Sequence, residues 1–135
     1  MIKIVKKDLL SNDFKAAMTK VATCSKLNTQ TTYRVMRTTK LLETALKKTQ
    51  KEFSEIVKSV AETDIKGNPL LNEDKTDYVF KSGVEKEDAV KKLEDFVSGT
   101  IEIDRERFEL DDLSPAGLTA VDLAMLEPLY NQPEV

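Results

Sequence analysis

Apolar and polar positions alternate at two distinct periods along this chain. Residues 2–5, Ile-Lys-Ile-Val, alternate one by one and predict a short edge strand. Leu10, Phe14, Ala17, Met18 and Val21 then recur at spacings of three and four, which predicts a helix over residues 8–23. Residues 25–32 are polar and read as a connection, with Asn28 or Thr29 placed to cap a second helix. From 29 to 62 the helical period is sustained. Stepping 100° per residue puts Val35, Leu42, Ala45, Leu46, Phe53, Ile56, Val57 and Val60 on one face. A helix of that length extends on the order of 50 Å and needs a partner along it, either another element or another subunit. Asp64-Ile-Lys-Gly67-Asn-Pro69 is expected to stop it, with Gly67 as a left-handed C-cap and Pro69 forbidding continuation.

After that stop the elements are shorter. Tyr78-Val79-Phe80 reads as a brief extended segment between polar loops. Residues 85–97 predict a third helix, with Ala89, Val90, Leu93, Phe96 and Val97 inward and Gly99 closing it. Residues 100–104 alternate like a strand, and 108–110 repeat the pattern. Leu118 precedes a short terminal helix in which Thr119 and Asp122 have the spacing of a capping pair. Pro128 limits that helix, and residues 131–135 read as a loose tail. The fold these elements specify is α+β: a long helical hairpin from the first two helices, a third helix, and a small antiparallel sheet drawing on 2–5, 100–104 and 107–110. The 135 residues suit a single domain.

Charge divides this domain in two. Residues 1–66 hold 14 Lys/Arg against 7 Asp/Glu, and residues 67–135 hold 7 against 17, so a net charge of −3 conceals a basic helical half and an acidic mixed half. All glycines and prolines fall in the acidic half, beginning at Gly67 and Pro69. Opposite charges of this kind neutralise each other within one molecule or between copies, where head-to-tail contacts build rings or filaments. No apolar run suits a signal peptide or a membrane span, so the expectation is a soluble protein of the cell interior where it is made, without membrane contact.

The residue inventory narrows the chemistry. There is no histidine, which removes the commonest general base and neutral metal ligand, and with them Ser-His-Asp and Cys-His catalysis. One thiol, Cys24, makes neither an intrachain disulfide nor a zinc site of the usual kind, and it reads as a small core or half-buried residue. No glycine-rich phosphate loop or calcium-loop ligand ladder occurs. No catalytic residue, cofactor or metal is expected, and the chain does not read as an enzyme. What remains is a basic stripe on the long helix. Arg37, Lys40, Lys47, Lys51 and Lys58 fall nearly opposite the apolar face, and Tyr33 joins them near the N-terminal end. Tyr33, Arg37, Lys40, Lys47 and Lys51 form the candidate interaction face. Aligned cations of this kind attract phosphates or acidic protein surfaces, or serve only as a solvated face. The terminal segment 113–130 carries Leu118, Leu123, Met125, Leu126, Leu129 and Tyr130, and is expected to dock on the core or to offer an exposed patch to a partner.

The order of these parts resembles a group of short, mostly uncharacterised tailed-bacteriophage proteins. The shared features are a long charged helix, an Asp-x-x-Gly-Asn-Pro turn (residues 64–69), acidic strands, and a Leu-Thr-x-x-Asp-Leu-x-x-Leu-x-Pro-Leu ending (residues 118–129). The resemblance implies a phage origin and carries no catalytic residue with it. It makes a virion or assembly component the expected function, acting on copies of itself or other phage proteins, synthesised in the host cytoplasm and then carried in the virion. A small inhibitor of a host protein, in defence or transcription, and a nucleic-acid-binding accessory protein are the alternatives.

Overall fold

Ile2 and Ile4, the apolar positions of the opening alternation, have no solvent exposure at all. They belong to strand β1 (Ile2–Val5), which pairs antiparallel with β2 (Thr100–Ile103) in the register Ile2 to Ile103 and Ile4 to Ile101. On the other side of this ribbon Lys3 faces Glu102, 3.4 Å between charged atoms. A basic strand thus meets an acidic one from the far end of the chain. The computed structural model describes residues 1–75 and 77–132.

The helix expected over 8–23 is two helices, α1 (Lys6–Leu9) and α2 (Asn12–Ala22). Ser11 separates them. Its backbone is extended, and its hydroxyl accepts the Asp13 N–H at 3.2 Å. Ser, Asn and Asp in a row satisfy orphan donors at a helix start better than they serve a helix interior, so the chain restarts here. Helix α3 (Thr29–Val60) begins as expected, with Asn28 accepting the Thr31 N–H at 2.7 Å. Val35, Leu42, Val57 and Val60 are buried on its inner face, together with three threonines, Thr31, Thr38 and Thr49, that the apolar pattern passes over.

Helix α3 ends two residues before its expected end, at an extended Ala61. Gly67 is left-handed, with φ 82°, but it does not cap the helix. It closes a hairpin. Its N–H donates to the Asp64 carbonyl, the Asp64 N–H donates to the Asn68 carbonyl, and the Asp64 carboxylate accepts the N–H groups of Lys66 and Asn68 at 2.9 Å each. The Asp-x-x-Gly-Asn-Pro sequence is therefore β-turn chemistry. The chain continues as three extended segments, around Glu62, Leu70 and Val79, bonded in a cycle. Glu62 N–H donates to Val79 O (2.7 Å), Val79 N–H to Leu70 O (2.9 Å), and Leu70 N–H to Glu62 O (2.7 Å).

Helix α4 (Lys86–Val97) returns along the C-terminal half of α3. The Phe53 and Phe96 rings lie 6.0 Å apart, and Lys92 Nζ donates to Ser59 Oγ at 3.4 Å, so the two helices run antiparallel. Ser98 ends α4, and Gly99 passes its carbonyl to the Lys6 N–H (2.8 Å), extending the β1–β2 ladder. The segment 107–110 does not join that sheet. Strand β3 (Phe108–Glu109) leads into α5 (Leu110–Leu113) and pairs parallel with β4 (Tyr130–Asn131), Phe108 opposite Tyr130.

Helix α6 (Ala120–Leu126) packs against α2 and brings the end of the chain into the core. Leu126, Leu129 and Tyr130 are buried among Ile4, Leu9, Phe14 and Leu113. Within the expected tail, Asn131 is held by its Nδ2 donating to Glu109 at 2.9 Å; residues 133–135 lie outside the described residues. The architecture is α+β, with a dominant long helix, a small antiparallel ribbon and a separate parallel pair. Among the described residues no helix is long and apolar enough to cross a membrane.

Candidate interaction face

The outer face of α3 follows from its inner one. With Val35, Leu42, Val57 and Val60 buried, residues half a turn away point to solvent. Arg37, Lys40, Lys47, Lys51 and Lys58 are all exposed there, and the Tyr33 side chain stands out beside them at 57% exposure. The five residues of the candidate face lie on one side of one rigid element. From Tyr33 to Lys51 they cover about 27 Å at 1.5 Å per residue.

Their cations make no ion pair among the described residues; the pairs found there are Lys3–Glu102, Lys20–Asp122 and Lys86–Asp77. Glu55 is exposed within the stripe, whereas Glu52 is half-buried to one side. Arg34 is a neighbour in sequence but not in role. Its guanidinium lies 4.8 Å from the centre of the Phe108 ring and donates to the Arg107 carbonyl at 3.2 Å, pinning β3 to α3. Arg37 is left as the arginine of the face and Tyr33 as its aromatic residue. Two exposed apolar side chains, Met36 and Leu41, flank its N-terminal part. The composition of the stripe gives no hint of them, but the same angular projection that finds the lysines places them on its edges.

Two of the ion pairs join the basic half to the acidic half. Lys20 Nζ lies 2.6 Å from Asp122 Oδ2, binding α2 to α6. That carboxylate also accepts the Thr119 N–H at 3.0 Å, while Thr119 Oγ1 accepts the Asp122 N–H at 3.2 Å, which is the expected capping box. The Lys20 ammonium first, then the Thr119 N–H, hold the Asp122 carboxyl below the usual carboxylate range. Asp77 is lowered likewise by Lys86 and by the Tyr78 N–H. Lys3 and Lys20 are thus paired across the halves, and the stripe on α3 keeps its positive charge.

Two other features bear on function. Between α2 and α3 lies an open, largely apolar groove of about 380 Å³, lined by Phe14, Met18, Leu42 and Leu46. Thr39 also lines it, and the Thr39 hydroxyl is buried without a hydrogen-bond partner among the described residues. Cys24 is half-buried, its Sγ 3.5 Å from the Pro115 carbonyl, in contact with the core. Comparison of the chain with protein-family models, with curated proteins and with solved structures finds no match in any of the three.

Proposed function

We propose that this chain is a non-enzymatic bacteriophage structural or assembly protein that acts through protein–protein contacts in the virion. The phage assignment rests on the resemblance of the turn at 64–69 and the ending at 118–129 to the tailed-phage group. The contact role rests on one observation: a straight row of exposed cations on α3, with no ion pair among the described residues. Such a row attracts an acidic surface, steers its approach and fixes its register more than it adds affinity. A single aromatic residue and a single arginine on the face make a poor platform for nucleic acid, which favours stacked aromatics and forked guanidinium contacts. Acidic surfaces of other phage proteins or of further copies of this chain are the better fit.

Mass spectrometry of purified virions, with copy number scaled to the major capsid protein, tests this reading. The expected result is stoichiometric presence in the particle. Abundance in infected cells with absence from virions would overturn it and would favour an inhibitor of a host protein.

A further inference from the structure

The two helices that pack together in the C-terminal half of α3 carry surface rows of complementary sign pattern at identical spacing. On α3 the row is Lys51, Glu55, Lys58; on α4 it is Glu87, Lys91, Glu94. Each follows i, i+4, i+7, so each lies along one face of its helix over about 10 Å. All six residues are exposed. Although spaced to pair within their own helices, none is in an ion pair among the described residues. Helix α4 covers the inner side of α3, through Phe53 against Phe96, and Ala89 of α4 is buried. The two rows therefore look outward from opposite sides of the helix pair.

We propose that copies of this chain join head to tail, the α3 row of one copy lying against the α4 row of the next. The inference rests on the assembly reading above and names the surface and partner it uses. Charge matching selects this contact over the symmetric ones. Laid in register on its own copy, Lys51, Glu55, Lys58 sets lysine on lysine and glutamate on glutamate in either direction, a shift by one position matches only two of the three, and the α4 row behaves in the same way. Laid across each other, the rows match at every position: Lys51 with Glu87 and Lys58 with Glu94, or the reverse in the antiparallel sense, with Glu55 on Lys91 in both. Beyond them, Lys47 and Lys40 extend the positive side, while exposed Asp88 and Asp95 reinforce the negative one. Because the rows sit on opposite sides, a second copy engaging one leaves the other free, and association continues into rings or filaments. Exposed ion pairs contribute little apiece and are screened by salt, so the contact is weak, salt-sensitive and selective in register.

Charge reversal tests this without touching buried residues. The variants are K51E/E55K/K58E and E87K/K91E/E94K, followed by sedimentation velocity over a concentration series at ~50 mM and ~500 mM salt. The wild type is expected to form a ladder of species at low salt that collapses toward monomer at high salt. Each reversed variant alone is expected to stay monomeric, since its two rows now carry the same sign pattern. Mixed together, or combined in one chain, the reversals restore complementarity and association returns. A wild type that remains monomeric throughout overturns the head-to-tail contact, whatever the virion assay shows. Association that survives both single reversals overturns the pairing of these rows and leaves the assembly reading standing. Binding of a labelled DNA duplex that K51E/E55K/K58E abolishes, in a chain that does not self-associate, also overturns it and assigns the stripe to phosphates.

Discussion

Asp122 holds two helices and one helix end with a single carboxylate, accepting from Lys20 of α2 and from the Thr119 N–H that starts α6. Its pKa in the folded chain lies below the ordinary value, so the unfolded chain takes up the proton first as pH falls. The stability it confers is present above the unfolded pKa of about 4 and is lost as pH drops through the folded one. Asp122→Asn keeps an oxygen for the cap but removes the charge facing Lys20. We expect it to be less stable than the wild type at pH 7, with the difference shrinking below pH ~4. Urea unfolding at both pH values measures this, and an equal difference at both would remove the ion pair as its source. The Thr-x-x-Asp spacing is legible in the sequence, because a capping box is local. Lys20 as the partner is not, because 102 residues separate the two and only the docking of α6 brings them together.

At the scale of elements, the C-terminal helix is part of the core. Leu126 has no exposed surface and belongs to the same core cluster as residues of β1, α1 and α2. Leu126→Ala removes buried methyl groups from a site closed on all sides, and such changes cost about 2–5 kcal/mol. Equilibrium unfolding should show a loss in that range, whereas a neutral result would mean that α6 is not held in the core. The existence of an element is readable wherever a period persists, as in α3 and α4. Boundaries are less readable where one residue type serves two geometries. Ser11 fits a mid-helix polar position by periodicity and an N-cap by chemistry, and the neighbouring Asn12 and Asp13 decide for the cap. Gly67 has the left-handed backbone expected of it, but a helix C-cap and a hairpin turn both require that conformation. The two-residue strands β3 and β4 are too short to carry a period, so their parallel pairing emerges only once the end of the chain is docked.

For the whole molecule, the division into basic and acidic halves is not a division into separate folding units. Strand β1 of the basic half completes its ladder on β2 of the acidic half, α2 is covered by α6, and Phe53 of α3 meets Phe96 of α4. Fragments 1–66 and 67–135 are each left with exposed apolar faces. We expect neither to unfold cooperatively alone, and a mixture at low salt to regain a cooperative thermal transition by circular dichroism. A cooperative transition in the isolated 1–66 fragment would contradict this. The candidate face is readable from the sequence because it depends on one helix and its period alone. The matching row on α4 acquires meaning only from its position across the helix pair.

The cyclic bonding of the segments around Glu62, Leu70 and Val79 bears on how that end of the molecule opens. In an ordinary hairpin the terminal bonds fray one by one while the rest of the ladder holds. Here Glu62, Leu70 and Val79 each donate to one neighbour and accept from the other, so no member of the ring is terminal. Each pairing is doubled by a second backbone bond, Lys81 N–H to Val60 O, Asp64 N–H to Asn68 O and Asn72 N–H to Asp77 O, so releasing any one segment breaks both of its pairings and leaves the pairing of the other two. Releasing one segment therefore breaks two of the ring's three bonds in a single event, and hydrogen exchange at these amides is expected to follow such shared openings rather than fraying inward from one edge.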